Sequence, residues 1–167
     1  MQDFVHLHVH THYSLLDGQA SVSRLVDKAM KDGMKGMALT DHGNMFGIKE
    51  FINYVNKKNK GLAPEERFKP IIGCEMHVAR RGKEKREGKQ DQSGWLLIVL
   101  AKNAKGYHNL IKLVSRAWTE GYYMRPRTDR KDLEKYHEGL IVCSACIGGE
   151  VPKKILNGQM EDAEEAV

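Results

Sequence analysis

Short apolar segments alternate with amphipathic helical segments along this chain, and that alternation constrains the fold more than any other feature. Helical periodicity occurs in SVSRLVDKAMKDG, in residues 45–60, in AKGYHNLIKLVSRAWTEG and in EVPKKILNG, with a shorter helical turn in RKDLEKYHEG. The apolar segments between them are KGMALT, KPIIGCEMHVA, WLLIVLA and LIVCSA. Strands that alternate with helices are typical of βαβ units. Because these strands are apolar on both faces, we predict an α/β fold with a parallel sheet covered by helices. The pattern leaves open whether the sheet is open or closed into a barrel.

The first helical segment carries a signal at each end. Ser21 is a candidate N-cap, and Gly33 is placed to end the helix. The apolar stripe between them consists of Val22, Leu25, Val26, Ala29 and Met30. This spacing predicts a helix that packs one face against the sheet.

The composition limits the class of protein. With 167 residues, the chain has the length of one domain, and its net charge of +5 is too small to indicate nucleic-acid binding by itself. No apolar run approaches the roughly 20 residues that a membrane helix needs, and the N-terminus has no secretory signal pattern. Three cysteines without a disulfide framework are typical of a reducing compartment, so we expect a cytoplasmic protein.

Four of the eight histidines occupy every second position of FVHLHVHTHYSLLDG, namely His6, His8, His10 and His12. They alternate with apolar residues, which predicts a strand that places the imidazoles of His8 and His10 side by side. A polar edge strand is one interpretation. A metal site is the other, and we favour it because neutral imidazole is a common ligand of divalent metals.

Further metal-competent side chains stand near the ends of other predicted strands. Asp41 and His42 end the second strand, Glu75 lies toward the end of the third, and Cys146 follows the fifth. Because ligands gather beyond the carboxyl ends of strands in α/β folds, these side chains are expected on one rim. Asp41 is either a helix N-cap or a carboxylate that orients the His42 ring.

Several other features favour structural roles. Cys143 and Cys146 form a C-x-x-C pair, but a redox pair or a zinc knuckle fits poorly, and Cys143 is predicted to be a buried apolar residue. His77, His108 and His137 are predicted to have surface or packing roles. Residues 80–94 contain six basic residues and no apolar side chain, which favours a mobile, solvated loop over a contact with a phosphate backbone.

Several blocks together resemble one known family. They are HLHVHTHYSLLDG, ALTDHGNMFG, KPIIGCEMHVA, LAKNAKGYHNLIKLVS and RPRTDRKDLEKYHEGLIVCSACIGGEVP. From Phe4 to the last residue, the chain is similar to the PHP (polymerase and histidinol phosphatase) domains at the N-terminus of bacterial DNA polymerase III α subunits. The resemblance implies a distorted (β/α)7 barrel with a metal cluster at the C-terminal ends of its strands. Residues 1–167 would form the N-terminal part of such a domain, an incomplete barrel with roughly the first five βα units.

The resemblance also implies a ligand set and a cofactor. The implied metal ligands are His8, His10, Asp17, His42, Glu75 and Cys146, with Asp41 as a supporting residue. His6 and His12 fall outside the matching H-x-H. The mixed nitrogen, oxygen and sulfur donors suit zinc, with manganese as the alternative. No catalytic residue can be assigned.

The functions implied by the resemblance are those of a replicative polymerase. The expected partners are the rest of the polymerase α chain, DNA through the full-length nucleotidyltransferase, and a proofreading exonuclease subunit. Some family members have their own 3′–5′ exonuclease activity. The alternatives are a stand-alone metal-dependent phosphoesterase and a silent interaction module.

The chain departs from the family pattern at two places. Leu96 occupies the position of a family histidine, and the sequence stops at Val167, before the final D-x-H pair of the family. We therefore expect a fragment with weak hydrolytic activity of its own. An incomplete barrel is also expected to self-associate through its exposed strand edge.

Overall fold

The computed structural model describes residues 4–167, which form a mixed sheet with helices packed against it. In chain order the elements are α1 (Val22–Lys31), β1 (Gly36–Leu39), α2 (Ile48–Lys58), a 3-10 turn (Pro64–Glu66), β2 (Lys69–Val78), α3 (Lys89–Gln92), β3 (Trp95–Ala101), α4 (Ala104–Thr119), β4 (Arg127–Thr128), α5 (Arg130–Tyr136), β5 (Leu140–Ser144), α6 (Glu150–Leu156) and α7 (Met160–Glu165). The strands and helices predicted after residue 20 are confirmed, and β4 was not predicted. Across residues 4–167, no helix has the length and apolar character needed to cross a bilayer.

The ends of α1 follow the predicted signals. The Ser21 hydroxyl accepts a hydrogen bond from the backbone N–H of Arg24. Gly33 adopts a φ of 80°, a left-handed conformation that is far less costly for glycine than for other residues. The boundaries of this helix are therefore set by local chemistry.

The sheet is built around the long strand β2. One edge of β2 pairs antiparallel with β3, which in turn pairs antiparallel with β5. The other edge pairs in parallel with β1 over residues 69–72 and with β4 over residues 77–78. On this second edge, the residues of β2 around Glu75 lie between β1 and β4 and pair with neither strand.

The prediction of an all-parallel sheet is wrong, because β3 runs antiparallel to both of its neighbours. A parallel neighbour needs a long crossover, usually a helix on the sheet face, whereas the connection from β2 to β3 contains only the four-residue α3. The apolar pattern was misleading because β3 is buried on both faces. Val99 packs with α4, while Ile98 and Leu100 pack with Ala38 on the opposite face.

The histidine-rich segment is extended, but it is not the regular strand that alternation predicted. It runs beside β1, where the Ala38 N–H donates to His6 O and the Thr40 N–H donates to Val9 O. Three residues of the segment therefore span two residues of β1, as in a β-bulge. The hydroxyl of Thr40 accepts from the Val9 N–H and satisfies the group that the irregular pairing leaves free.

The basic segment 80–94 is mostly exposed, as predicted for a solvated loop, but its backbone is held at several points. The buried Arg127 guanidinium donates to the carbonyl oxygens of Lys83, Asp91 and Gly121. Arg81 makes a bidentate ion pair with the buried Asp91 carboxylate, at 2.7 and 3.1 Å. Sequence alone cannot show that a basic residue outside the segment holds its backbone in place.

Candidate metal centre

Glu75 lies at the centre of a cluster of potential metal ligands. Its side chain is buried, and alternation places it on the face of β2 opposite α4, since its neighbours Cys74 and Met76 pack with that helix. His42 fills the gap between β1 and β4 along this edge of β2. The Glu75 N–H donates to Asp41 O at 3.1 Å, and the Gly43 N–H donates to Glu75 O at 2.7 Å. Backbone pairing therefore holds His42 beside Glu75.

His8 and His10 approach Glu75 from the extended N-terminal segment. His8 Nε2 lies 2.6 Å from Glu75 Oε2, and His10 Nε2 lies 3.5 Å from the same oxygen. The two Nε2 atoms are 2.9 Å apart. The structure thus brings the H-x-H pair together, as alternation predicted, and aims both rings at one carboxylate.

His42 and Asp17 extend the cluster toward solvent. His42 Nδ1 lies 2.5 Å from Glu75 Oε1, and its Nε2 lies 2.8 Å from Asp17 Oδ2. The rings of His42 and His10 have centroids 4.1 Å apart. Asp17 is 65% exposed, whereas Glu75 is 2% exposed, so the cluster runs from a buried floor to an open rim.

These five residues form two overlapping groups in which one ligand atom from each residue lies within 4.8 Å of the others. The first group is His8, His10 and Glu75, and the second is His10, Asp17 and His42. His10 belongs to both. Imidazole nitrogens and carboxylate oxygens are donors that zinc and manganese accept.

The hydrogen bonds of His10 show that this donor set fits a metal. Ser14 Oγ donates to Asp41 Oδ1 at 2.6 Å, so its proton is already used. The oxygen must therefore accept from His10 Nδ1–H, which lies 2.9 Å away. In the neutral ring, this assigns the proton to Nδ1 and the lone pair to Nε2, the atom that faces Glu75 and His8, which is the tautomer that a metal ligand needs.

Asp41 has a different role from the predicted one. Its carboxylate accepts from the Thr11 N–H at 2.7 Å, from the Thr11 hydroxyl at 2.8 Å, and from Ser14. Within residues 4–167 it forms no hydrogen bond with the His42 ring, and it orients His10 through Ser14. Thr11 and Ser14 were missed in the sequence, because hydroxyl residues carry no metal-ligand signal and their partner lies about thirty positions away.

The charges of the cluster are strongly coupled. Burial by itself raises the pKa of Glu75, but the neighbouring imidazoles of His10 and His42 outweigh it and hold the pKa of this carboxyl well below its usual range. The hydrogen bond with Glu75 raises the pKa of His42 to about 9, with a further contribution from Asp17. The hydrogen bond from His42 lowers the pKa of Asp17. In the absence of an ion, His42 is thus protonated at neutral pH, and its ring lies between the Glu75 and Asp17 carboxylates.

The sixth candidate ligand stands apart from the cluster. Cys146 is exposed and belongs to neither group of ligand atoms among residues 4–167. A β-carbon built on Gly148 would lie 2.8 Å from the Leu96 side chain and 3.8 Å from Cys146 Sγ, which places these residues together. Leu96 on β3 is the cross-strand partner of His77, and His77 lies two positions after Glu75 on β2. Cys146 thus lies near Leu96 and outside both groups of ligand atoms.

The remaining histidines lie outside the cluster. His6 packs edge-on against Phe4, and His12 packs against Tyr13. His108 is exposed, and His137 Nδ1 lies 2.6 Å from Glu134 O. His77 is buried.

Comparison with known proteins relates the chain to one family. The model of the PHP domain family matches residues 6–167. The chain is 50% identical to DNA polymerase III subunit alpha of Borreliella burgdorferi over 98% of this chain and 14% of that protein. It is 45% identical to the subunit of Treponema pallidum over 97% of this chain and 13% of that protein. It is 42% identical to the subunit of Thermus aquaticus over 96% of this chain and 13% of that protein. The chain therefore spans about one seventh of the length of these relatives.

Proposed function

This chain belongs to the PHP domain family, and on that premise we propose that it is the N-terminal part of a bacterial DNA polymerase III α subunit. In this proposal, the chain contributes a metal-binding domain to a cytoplasmic replicative nucleotidyltransferase. The polymerase active site, the bound DNA and the contact with a proofreading exonuclease belong to the longer protein. The similarity to three α subunits at 42–50% identity supports this assignment.

The proposed domain is the N-terminal part of a PHP barrel. The inward-facing residues Ala38, Ile98 and Leu100 pack together on the face of the sheet that also carries Glu75. Such a face is what the interior of an incomplete (β/α)7 barrel would present. The first five βα units of that barrel would then correspond to residues 1–167.

The convergence of three histidines on Glu75, with Asp17 joined to them through His42, is the observation that carries the metal-binding proposal. We assign His8, His10, Asp17, His42 and Glu75 as the residues that would hold zinc or manganese. When bound, such an ion supplies a Lewis acid that polarises a phosphoryl oxygen and activates water. Cys146 is left out of this assignment because it belongs to neither group of ligand atoms.

The residues of the chain itself would prepare the centre for an ion. Asp41 and Ser14 hold His10 in the tautomer with a free Nε2, and Glu75 supplies a buried negative charge. The His42 proton would leave when an ion binds, because both cannot occupy the same lone pair. Asp17 remains open to solvent and can adjust its position.

A metal-dependent phosphoesterase is the second candidate function. It is favoured by the partial exposure of the cluster, since the His8 side chain is 34% exposed and Asp17 is 65% exposed, so a phosphoester could reach it. The leucine at position 96 argues for low activity, because it stands on the same face as Glu75 and cannot coordinate an ion. We therefore propose a mainly structural metal centre with weak 3′–5′ exonuclease activity.

Metal content tests the proposed centre. Protein purified without chelator should contain at least one equivalent of zinc or manganese by elemental analysis, and His8→Ala plus His10→Ala should remove most of it. His12→Ala is the matched control, because this exposed histidine lies in the same segment but outside both groups. A metal-free wild type, or equal metal content in the double variant, would contradict the proposal.

Hydrolysis of single-stranded DNA separates the two candidate functions. The assay uses the full-length protein with its polymerase site inactivated, and manganese or zinc added. We expect little degradation by wild type and a gain in Leu96→His. Robust degradation by wild type that is lost in His10→Ala would instead support the phosphoesterase.

A further inference from the structure

A basic cleft lies beside the candidate metal centre, at the carboxyl end of β2. Its volume is about 330 Å³, and its polar lining comes from His77, Arg80, Ser93, Arg125 and Lys153. No aspartate or glutamate lines the cleft among residues 4–167. Three positive charges therefore surround one opening without a local negative charge to balance them.

These three cations differ from most charged residues nearby. Arg81 and Lys83, in the same basic segment, are held in ion pairs with Asp91 and Asp132. By contrast, none of Arg80, Arg125 and Lys153 forms an ion pair within residues 4–167, and all three are exposed. The Arg80 guanidinium lies 3.9 Å from the centre of the Trp95 ring, which orients it at the cleft.

His77 is a buried polar residue at the wall of the cleft. His77 is 5% exposed and lines the cleft, and its Nδ1 has no hydrogen-bond partner in the described chain. This atom is closed to solvent, so a ligand in the open cleft would contact the cations of the lining and not Nδ1.

We propose that this cleft binds a phosphate group. An anion is favoured over a metal ion because the lining carries three cations and no carboxylate. Arginine suits this ligand, since its planar guanidinium can donate two parallel hydrogen bonds to one phosphate. The exposed Ser93 hydroxyl is a polar group that can complete the contacts.

The phosphate could be free or could belong to a nucleic acid. Both sources present the same group to Arg80, Arg125 and Lys153. A terminal phosphate of a single strand also brings a sugar and a base, which Trp95 could contact at the edge of the cleft. The proposal does not depend on the metal centre, because none of the five assigned ligands lines the cleft.

Fluorescence of Trp95 provides a test at the cleft itself. The sequence contains two tryptophans, so Trp118→Phe leaves Trp95 as the only one. The chain is titrated with inorganic phosphate in the presence of EDTA, and then with a dinucleotide with and without a 5′-phosphate. We expect phosphate to bind saturably to wild type. Its affinity should be at least tenfold lower in the variant that combines Arg125→Gln and Lys153→Gln.

A matched charge control distinguishes a built site from general attraction. Lys31→Gln plus Lys35→Gln removes the same charge from exposed residues at and beyond the end of α1, and it should leave affinity within twofold of wild type. Tighter binding of the phosphorylated dinucleotide than of phosphate would identify nucleic acid as the source. Equal binding would identify free phosphate.

Calorimetric titration of the chain with both tryptophans repeats the measurement if Trp118→Phe does not fold. The proposal is overturned if wild type shows no saturable phosphate binding by calorimetry. It is equally overturned if the control pair loses as much affinity as the cleft pair. Loss of metal from the centre would leave the result unchanged, so this test is separate from that of the proposed function.

Discussion

At the scale of single residues, Glu75 determines the electrostatics of the candidate centre. It is buried, yet the neighbouring imidazoles keep the pKa of its carboxyl below the usual range. His42 responds in the opposite direction, and its pKa is raised to about 9. An ion would replace the proton that now lies between these two side chains.

The raised pKa of His42 makes the stability of the metal-free protein depend on pH. A group with a folded-state pKa above its ordinary value of 6.5 stabilises the fold fully below pH 6.5, and this contribution is lost as pH rises through about 9. In EDTA, the free energy of unfolding should therefore fall between pH 6.5 and 9. Urea denaturation at several pH values measures this decline.

His42→Gln should remove this part of the decline, because glutamine does not titrate. His12→Ala should keep the wild-type profile, since His12 lies outside the cluster. A wild-type profile that stays level from pH 6.5 to 9 would show that His42 is not held protonated by Glu75.

At the scale of elements, Arg127 joins three parts of the chain. It lies in the short strand β4, is 1% exposed, and donates to carbonyl oxygens of the basic segment, of α3 and of the loop after α4. The backbone of residues 80–94 therefore depends on one side chain more than thirty positions away. The same anchoring positions Arg80 and Ser93 at the basic cleft.

Arg127→Met should destabilise the protein by about 3 kcal/mol, because three carbonyls lose a charged donor in a buried site. Arg130→Met serves as the control, since Arg130 is 61% exposed and its ion pair with Glu150 should contribute roughly 0.5 kcal/mol or less. Denaturant midpoints of the two variants give the comparison. Equal losses would mean that the guanidinium does not anchor the segment.

At the scale of the whole molecule, β5 is an edge strand within residues 4–167. It pairs only with β3, and its Ile141 and Val142 side chains are 47% and 50% exposed. An exposed apolar edge strand is a template for pairing with another chain. The isolated chain is therefore expected to self-associate.

Val142→Lys should shift the chain toward monomer in sedimentation velocity, because a charge on the edge opposes strand pairing. Leu156→Lys is the matched control, since this leucine is 65% exposed but lies at the end of α6, away from the edge. If wild type is a monomer at all concentrations, or if both variants dissociate it equally, the edge of β5 is not the interface.

The sequence by itself determined the features that depend on neighbouring residues. Periodicity identified the predicted helices and the apolar strands, and Ser21 and Gly33 marked the ends of α1. Side-chain type and position relative to the strands made His8, His10, His42 and Glu75 candidate ligands, and the family resemblance added Asp17. These inferences were possible because hydrogen bonding within a helix and alternation along an extended chain are local properties.

Only the tertiary structure decided the features that join distant parts of the chain. The direction of β3 was invisible because burial on both faces produces the same apolar pattern in parallel and antiparallel strands. The link from Asp41 through Ser14 to His10, the anchoring by Arg127 and the separation of Cys146 from the cluster were equally hidden. Each depends on which side chains meet across the fold, and the packing of the sheet against its helices determines that.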